Sequence, residues 1–375
     1  MSERINSTYE EKMNRIHAAI ALEPVDMAPV ISGNAAFNAA ACGVELADYL
    51  NDMELNCTCN IEGFQKSGDI DGVQLRLCTP YVLPGMWLSK IRVPGKELSD
   101  NELWQVLEEE LITDGDYDRI LEVGWDEWQA SYMVNVLGNP GEQLKDMFAY
   151  GPVAKKRFRE AGIPVIKEGN LVSPFEALCG GRSLAVFLVD DLLEEPERTE
   201  EVFKVIQKAN MAKYQKQFES DAKPCGVWVG GWRGGPSILS PAMFERFSWP
   251  YFRELVDLCI QYDVTPILHL DSSWDLGLQK FREFPKGKCI MALDGKTDMK
   301  LAKETVGDMM CIMGDVPAEM LAFSSREKVY DYVTHLLEIM GPTGYMVCSG
   351  CDVPFNAKLE NVIAMSDARN DFYRR

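Results

Sequence analysis

Two short segments, Thr265-Pro-Ile-Leu-His-Leu-Asp271 and Val347-Cys-Ser-Gly-Cys-Asp352, decide the predicted fold. Each is an apolar run that ends abruptly at polar side chains able to bind a metal ion. In a sheet of parallel strands, the buried strands are continuously apolar and functional groups follow their C-terminal ends. We therefore expect the histidine and aspartate of the first segment and both cysteines of the second to meet at one rim of a barrel.

Similar apolar segments recur along the second half of the chain, at the spacing of βα units. The predicted strands cover 163–166, 226–229, 265–268, 289–293, 310–313 and 345–348, and the predicted helices cover 196–218, 241–262, 299–306, 325–340 and 359–373. An amphipathic helix is predicted over 8–22 and a first strand over 25–32. Strands that alternate with helices in this way favour an α/β fold, a (β/α)8 TIM barrel.

Residues 69–150 differ from this pattern. Aromatic residues, prolines and glycines are interspersed there with an acidic stretch, and the spacing of Leu103, Leu107 and Leu111 predicts a helix. We interpret this region as an N-terminal elaboration packed on the barrel, so that residues 1–375 form a single domain. Its tryptophans are expected in the core or in a lid over the pocket.

The composition excludes several classes of function. A formal charge of −20 repels phosphate backbones, so nucleic acid is not an expected partner. Apolar runs stay shorter than the roughly 18 residues of a membrane span, and the N-terminus lacks the apolar core of a signal peptide. These features predict a cytoplasmic protein without a membrane partner.

The cysteines and histidines narrow the candidate site. Most of the eleven cysteines lie inside apolar segments, where a free thiol behaves as a small hydrophobe. Cys348 and Cys351 instead form a Cys-x-x-Cys pair, which in a cytosolic chain is more typical of metal binding or redox chemistry. His269 lies among the three histidines at the position where a predicted strand ends.

Several motifs can be compared with known families. They are Arg15-Ile to Leu22-Glu-Pro-Val-Asp26, Ile238-Leu-Ser-Pro-Ala-Met-Phe244, Gly314-Asp-Val-Pro317, Ser349-Gly-Cys-Asp-Val-Pro354 and Lys358-Leu-Glu-Asn-Val-Ile-Ala-Met365. Together they resemble the uroporphyrinogen decarboxylase family, which also contains the corrinoid-dependent methyltransferases. The resemblance covers nearly the whole chain, with residues 69–150 matched least, and it implies a TIM-barrel enzyme.

The branches of this family differ at two places. Uroporphyrinogen decarboxylases follow the first strand with an arginine-rich segment, whereas residues 31–37 contain no arginine to bind an octacarboxylate. The methyltransferase branch binds zinc through a His-x-Cys pair and a later Gly-Cys motif. His269 and Cys351 occupy those positions and Asp271 replaces one cysteine, so the resemblance implies Zn²⁺ on these three residues. Cys348 is either a substitute ligand or a core thiol.

The resemblance implies methyl transfer with a corrinoid (cobalamin) carried by a separate protein, since the three histidines exclude an Asp-x-His-x-x-Gly corrinoid motif in this chain. An oxygen ligand makes the zinc ion a harder Lewis acid, which favours a substrate that carries its methyl group on oxygen. We therefore expect O-demethylation of a small substrate, an aryl methyl ether, with zinc as a Lewis acid on the leaving oxygen. The alternatives are a methylcorrinoid:thiol methyltransferase, a decarboxylase and a non-catalytic barrel that binds a ligand.

Further residues are candidates for substrate binding. Trp228, Trp232, Trp274 and Tyr81 lie near the expected rim and are expected either to flank an aryl ring or to pack in the core. Arg233, in a glycine-rich turn, either binds a substrate carboxylate or simply belongs to that turn. A homodimer is among the expected assemblies, although no motif decides the oligomeric state.

Overall fold

The computed structural model describes residues 7–374, and parallel strands form its centre. The strands are β1 (Ile31–Ser32), β2 (Gly72–Val73), β3 (Ile91–Arg92), β4 (Gln105–Val106), β5 (Asn170–Leu171), β6 (Gly226–Gly231), β7 (Thr265–Leu270), β8 (Ile290–Leu293), β9 (Cys311–Val316) and β10 (Tyr345–Ser349). Strands β5 to β10 form one sheet in sequence order, and every neighbouring pair in it is parallel. Strands β1 and β2 form a second parallel pair.

Two backbone contacts close these sheets into a ring. On one side, Val30 pairs in parallel with Val347 of β10. On the other side, Val73 pairs with Val165, which extends β5 backwards, and the Ile166 N–H donates to the Val73 carbonyl at 2.9 Å. The ring therefore runs through β1, β2, the extended β5 and β6 to β10. This closure confirms the predicted (β/α)8 barrel.

The helices surround this ring. The α-helices span Tyr9–Ile20, Phe37–Cys42, Leu46–Asn51, Met53–Lys66, Leu83–Trp87, Asp114–Val123, Trp125–Asn135, Pro140–Glu160, Pro174–Gly181, Leu184–Val186, Pro196–Phe218, Pro241–Met243, Trp249–Gln261, Met299–Val306, Ala318–Phe323, Arg326–Met340 and Leu359–Arg374; 3₁₀ segments cover Pro80–Val82 and Leu278–Glu283, and π-helical segments cover Phe187–Glu194 and Phe244–Ser248. The predictions for 196–218 and 299–306 are confirmed in both bounds. Within residues 7–374, no helix is long and apolar enough for a membrane crossing.

The region 69–150 corrects two predictions. It includes β2, so the barrel itself extends into this region, and the elaboration lies between the second and third strands of the ring. The helix predicted from Leu103, Leu107 and Leu111 is wrong, because β4 lies there and pairs antiparallel with β3. The Leu107 N–H donates to the Lys90 carbonyl at 2.9 Å, so backbone pairing between distant residues prevails over the spacing of the leucines.

A buried arginine joins the elaboration to the barrel. The guanidinium of Arg182 donates to Asp191 at 2.9 Å, to Asp114 at 2.5 Å and to Glu110 at 3.2 Å. Arg182 follows the helix after β5, whereas Glu110 and Asp114 belong to the elaboration. These contacts fix residues 110–114 of the elaboration against the segment that follows β5.

A buried carboxylate lies between two arginines at the seam of the barrel, where the pair β1 and β2 closes the ring. Asp71, which precedes β2, accepts from Arg15 of the first helix and, at 2.9 Å, from Arg369 of the last helix. Its second oxygen also accepts the Val30 N–H at 2.8 Å. Asp71, Arg15 and Arg369 are all less than one-tenth exposed. One side chain thus ties both ends of the described chain to the short strands β1 and β2.

We predict that Asp71→Asn lowers the free energy of unfolding by about 3 kcal/mol, because it leaves two buried guanidinium groups without their shared carboxylate. Urea denaturation followed by circular dichroism measures this change. Asp26→Asn is the matched control, since Asp26 also bonds Arg15 but is 60% exposed, and its loss should cost less than about 1 kcal/mol. Equal effects of the two substitutions would contradict the role of the seam.

Candidate functional site

The C-terminal ends of several strands surround a cavity of about 250 Å³. His269 lies in β7, Asp271 directly follows that strand, and Cys351 follows β10. Trp228 of β6 and Lys167 of the extended β5 complete this side of the cavity. Three of the four side chains predicted at the rim, those of His269, Asp271 and Cys351, therefore line one cavity, because parallel strands bring the residues at their C-terminal ends to one place.

The elaboration forms the opposite wall. Met86, Trp87 and Trp104 belong to residues 69–150 and line the same cavity, together with Met147 of the helix Pro140–Glu160. Trp232, after β6, contacts Trp87 edge to face, with ring centroids 5.6 Å apart. The cavity thus combines four tryptophans with a polar floor, and the elaboration covers it.

Unpaired polar atoms concentrate at this cavity. Seven buried side-chain nitrogen or oxygen atoms of the described residues lack a hydrogen-bond partner, and four of them belong to residues that line it. These four are Trp87 Nε1, Asn170 Oδ1, His269 Nδ1 and Asp271 Oδ1. Since buried polar groups in folded proteins are nearly always paired, this concentration indicates a place where a ligand supplies the partners.

The imidazole of His269 is held flat against an indole. Its ring lies parallel to Trp228, with an interplanar angle of 4° and centroids 4.2 Å apart, and only 5% of the residue is exposed. His269 Nε2 lies 3.5 Å from Asp271 Oδ1. Burial, and then the positive charge of Lys167, lowers the pKa of His269 to about 4. The imidazole is therefore neutral near pH 7 and keeps a lone pair for a ligand.

The two acidic groups of the predicted site, Asp271 and Cys351, have raised pKa values. Burial, together with the charges of Asp294, Glu176 and Asp352, raises the pKa of Asp271 to about 7. Burial also raises the pKa of the Cys351 thiol, and Asp352 and Asp271 add to that effect. Each acid thus retains its proton more strongly than it would in water, unless a cation compensates the charge.

These three side chains are candidates for a metal site by type and by position. His269 and Asp271 present nitrogen and oxygen atoms to each other, and Cys351 supplies sulfur from the same cavity. Zinc accepts all three kinds of donor. Within residues 7–374, however, no group of three or more His, Cys, Asp and Glu side chains is close enough to hold a metal ion as it stands. The metal assignment therefore stays a prediction.

Cys348 lies elsewhere. It is 1% exposed, belongs to the apolar cluster inside the barrel, and is not among the residues that line the cavity. Its sulfur accepts from Gln74 Nε2 at 3.5 Å, and Gln74 Oε1 in turn accepts from Trp228 Nε1 at 2.8 Å. This placement matches the alternative of a core thiol, and the thiol orients the amide that holds Trp228.

Arg233 is outside the cavity. Its guanidinium lies 3.8 Å from the Glu108 carboxylate. The buried carboxylate of Glu176 accepts the backbone N–H groups of Trp232, Arg233 and Gly234 at 2.9 to 3.0 Å. Burial nevertheless raises the pKa of Glu176, to about 7. The structure therefore agrees with the alternative in which Arg233 belongs to the turn.

Two predicted aromatic contacts are also absent from the cavity lining. Trp274 is 1% exposed and packs against Phe252 and Phe281, so it is a core residue. Its indole N–H donates to the Asp271 carbonyl at 3.0 Å, which fixes the backbone beside the candidate site. The Tyr81 hydroxyl instead bonds Lys96 at 2.6 Å in a neighbouring groove.

Sequence reasoning did not name Gln74, Lys167 and Asp352 as site residues, although all three line the cavity. Trp87 and Trp104 also line it, and the sequence placed them only generally, in the core or in a lid over the pocket. Lys167 and Asp352 each follow an apolar strand segment, so the rule that identified His269 also applies to them. Gln74, Trp87 and Trp104 carry no such signal, because they lie in the region whose strands and turns were not predicted.

The sequence model of the family described as Uroporphyrinogen decarboxylase (URO-D) matches residues 154–372, more than half of the chain. Among curated proteins, a chloroplastic uroporphyrinogen decarboxylase of Zea mays is 28% identical over 127 residues, which are 33% of this chain and 31% of that protein. A uroporphyrinogen decarboxylase of Sulfurovum is 25% identical over 126 residues, 33% of this chain and 36% of that protein. The matched part spans about a third of these relatives.

A solved structure described as a methyltransferase from Methanosarcina mazei matches with a TM-score of 0.71. The match covers 98% of this chain and 99% of the other, at 19% sequence identity. At this identity the likeness establishes the fold alone, including the elaboration. The common fold and the rim geometry are therefore separate observations.

We predict that in the metal-free protein Lys167→Met raises the pKa of His269 above about 4, because the substitution removes a nearby positive charge. Titration of the histidine ring signals by NMR, assigned with His269→Gln, measures the shift. Lys155→Met is the control, since Lys155 is 68% exposed and pairs with Glu168 outside the cavity. A wild-type His269 that titrates near its ordinary value of 6.5 would contradict its burial against Trp228.

Proposed function

This chain belongs to the uroporphyrinogen decarboxylase family, and we propose that it is a methyltransferase that acts with zinc and a separate corrinoid protein. The proposed reaction moves a methyl group from a small O-methyl compound, an aryl methyl ether, to the cobalt of the corrinoid. One observation carries the proposal: His269, Asp271 and Cys351 all line one small cavity, together with four tryptophans. The methyltransferase from Methanosarcina mazei, which has the same fold, supports it.

The cavity is unsuited to uroporphyrinogen, the substrate after which the related decarboxylases are named. Its volume of about 250 Å³ lies below the usual range of pockets for drug-sized ligands, so a one-ring molecule fits better than a tetrapyrrole. Among the described residues of its lining, Lys167 is the only lysine or arginine. A substrate with eight carboxylates needs several cationic partners. We therefore do not assign decarboxylation of that substrate to this chain.

His269, Asp271 and Cys351 would hold the zinc ion. The unpaired His269 Nδ1 and Asp271 Oδ1 and the 3.5 Å separation of His269 Nε2 from Asp271 support this choice, and Cys351 adds a thiol from the next wall. When bound, zinc supplies a Lewis acid that polarises a substrate oxygen. Zinc binding requires these donors to move closer together, because they form no compact group as they stand.

The remaining residues of the cavity would position the substrate. Trp228 is fixed by Gln74 and by its stacking on His269, so it forms a rigid part of the cavity wall beside the candidate metal ligands. Trp87 and Trp232 meet edge to face and present an apolar surface. Aromatic surfaces of this kind bind planar rings.

We predict about one zinc per chain in the purified protein and much less in His269→Ala and Cys351→Ala, because each substitution removes one of the three protein ligands. Elemental analysis after zinc incubation measures the content. Cys348→Ala is the matched control, since Cys348 lies three residues away inside the barrel and should leave the zinc content unchanged. Loss of zinc in the control alone would replace Cys351 by Cys348 in the site.

We predict that the zinc-loaded protein demethylates 2-methoxyphenol in the presence of Co(I) cobalamin, because the cavity accepts one ring beside the ligands. Formation of methylcobalamin is followed by its absorbance, and release of 1,2-dihydroxybenzene is followed by chromatography. His269→Ala should abolish both signals, whereas Lys155→Met should leave them unchanged. Methyl transfer from methylcobalamin to a thiol, without activity on methyl ethers, would contradict the assigned direction.

A further inference from the structure

Lys167 presents a charged amine to the cavity without a direct partner. Among the described residues its ammonium has no hydrogen bond and no ion pair within 4 Å, and its one recorded close contact is the ring of Trp228, 3.9 Å from Nζ to the centroid. The neighbouring Glu168 differs, because it pairs with Arg76 and lies 3.8 Å from Lys155. Alternation along the strand thus sends one residue to a surface ion-pair cluster and the other into the cavity.

This arrangement is unusual for a partly buried cation. Lysines in protein interiors are almost always paired, because removing an ammonium group from water is costly without a counter-charge. The indole face of Trp228 compensates part of that cost through its cation–π contact. The indole N–H of Trp87 is a second donor on the cavity wall without an acceptor among residues 7–374. Two hydrogen-bond donors therefore face the cavity and lack an acceptor.

We propose that Lys167 is the anion-binding residue of this cavity, and that the ligand it selects is a one-ring aromatic carboxylate. The proposal rests on the proposed function for the identity of that ligand as an aryl methyl ether, but the binding step itself requires no methyl transfer. The ring would lie among Trp87, Trp228 and Trp232, with its carboxylate on the ammonium. Lys167 thereby takes the role that the sequence suggested for Arg233.

Charge limits the ligand to a single carboxylate. Asp352 lines the same cavity and acts electrostatically on Lys167, although the two form no ion pair. A second carboxylate on the ligand would meet Asp352 and Asp271 without any further lysine or arginine in the described lining. Asp352 therefore weakens anion binding, and its removal should act in the opposite direction to the removal of Lys167.

The test compares 4-methoxybenzoate with 4-methoxybenzyl alcohol, a neutral molecule of nearly the same shape. Isothermal titration calorimetry on the full-length zinc-loaded protein measures both affinities. We expect the wild type to prefer the carboxylate, and Lys167→Met to weaken its binding about tenfold to a hundredfold, as the loss of a charge-assisted hydrogen bond does. Binding of the alcohol should change little, and Asp352→Asn should strengthen binding of the carboxylate.

Controls separate charge from packing. Lys167→Arg keeps the charge and should keep the preference for the carboxylate, while Lys155→Met should behave as wild type. Thermal unfolding shows whether the Lys167→Met variant is folded. If it is not, the preference of the Lys167→Arg variant for the carboxylate over the alcohol serves as the test. Equal loss of both ligands in Lys167→Met, loss of the preference in Lys167→Arg, or a wild type that binds neither ligand or does not distinguish them would each overturn the proposal.

The outcome is independent of the proposed reaction. If no methyl ether reacts but benzoate binding depends on Lys167, the anion site stands and the proposed methyl transfer falls. If 2-methoxyphenol is demethylated while benzoate binding is unaffected by Lys167→Met, the reaction stands and the anion site falls. Benzoate without a methoxy group provides a further probe, because its binding should depend on Lys167 to the same extent.

Discussion

The barrel depends on the closure of its seam, where β1 and β2 are only two residues long. Such short strands contribute few ladder hydrogen bonds, so the buried carboxylate of Asp71 supplies much of the connection. It bonds Arg15 near the start of the described chain, Arg369 near its end and the Val30 N–H beside β1. Because a barrel rim has fixed geometry only when the ring is closed, this ionic cluster at one end determines where the side chains of the opposite end meet.

The pKa values of the two neighbouring groups His269 and Asp271 are shifted in opposite directions at this rim. Burial lowers the pKa of His269 to about 4 and raises the pKa of Asp271 to about 7, so between about pH 4 and pH 6.5 both groups favour the neutral forms although both would be ionised in water. Perturbed groups of opposite kinds in one cavity are typical of functional sites. Trp228 links His269 to Lys167, because its indole contacts both the imidazole and the ammonium group. A bound cation on the acids and a bound anion on the lysine would both relieve the cost of burial.

Much of this arrangement follows from sequence, where apolar segments stop at polar residues. That rule identified His269 near the end of β7 and Asp271 directly after it, and helices such as Met299–Val306 were predicted in both bounds. It failed at β2, because a strand of two residues has no periodicity to detect. It also could not separate Cys348 from Cys351. β10 ends at Ser349, so the first cysteine is inside the barrel and the second beyond it, a difference of three residues that only the end of the strand determines.

Residues 31–37, which contain no arginine, contribute to a network of buried asparagine side chains in the structure. Asn34 lies in this segment, and its amide donates to Asn38, which in turn donates to Asn60, with all three side chains fully buried. The space beside β1 is thus filled by paired amides that carry no charge. A fold of this kind fixes where strand ends meet but leaves the chemistry to the side chains there. In this chain, Lys167 is the one lysine or arginine in the described lining of the cavity, which suits a ligand with one carboxylate and opposes one with many.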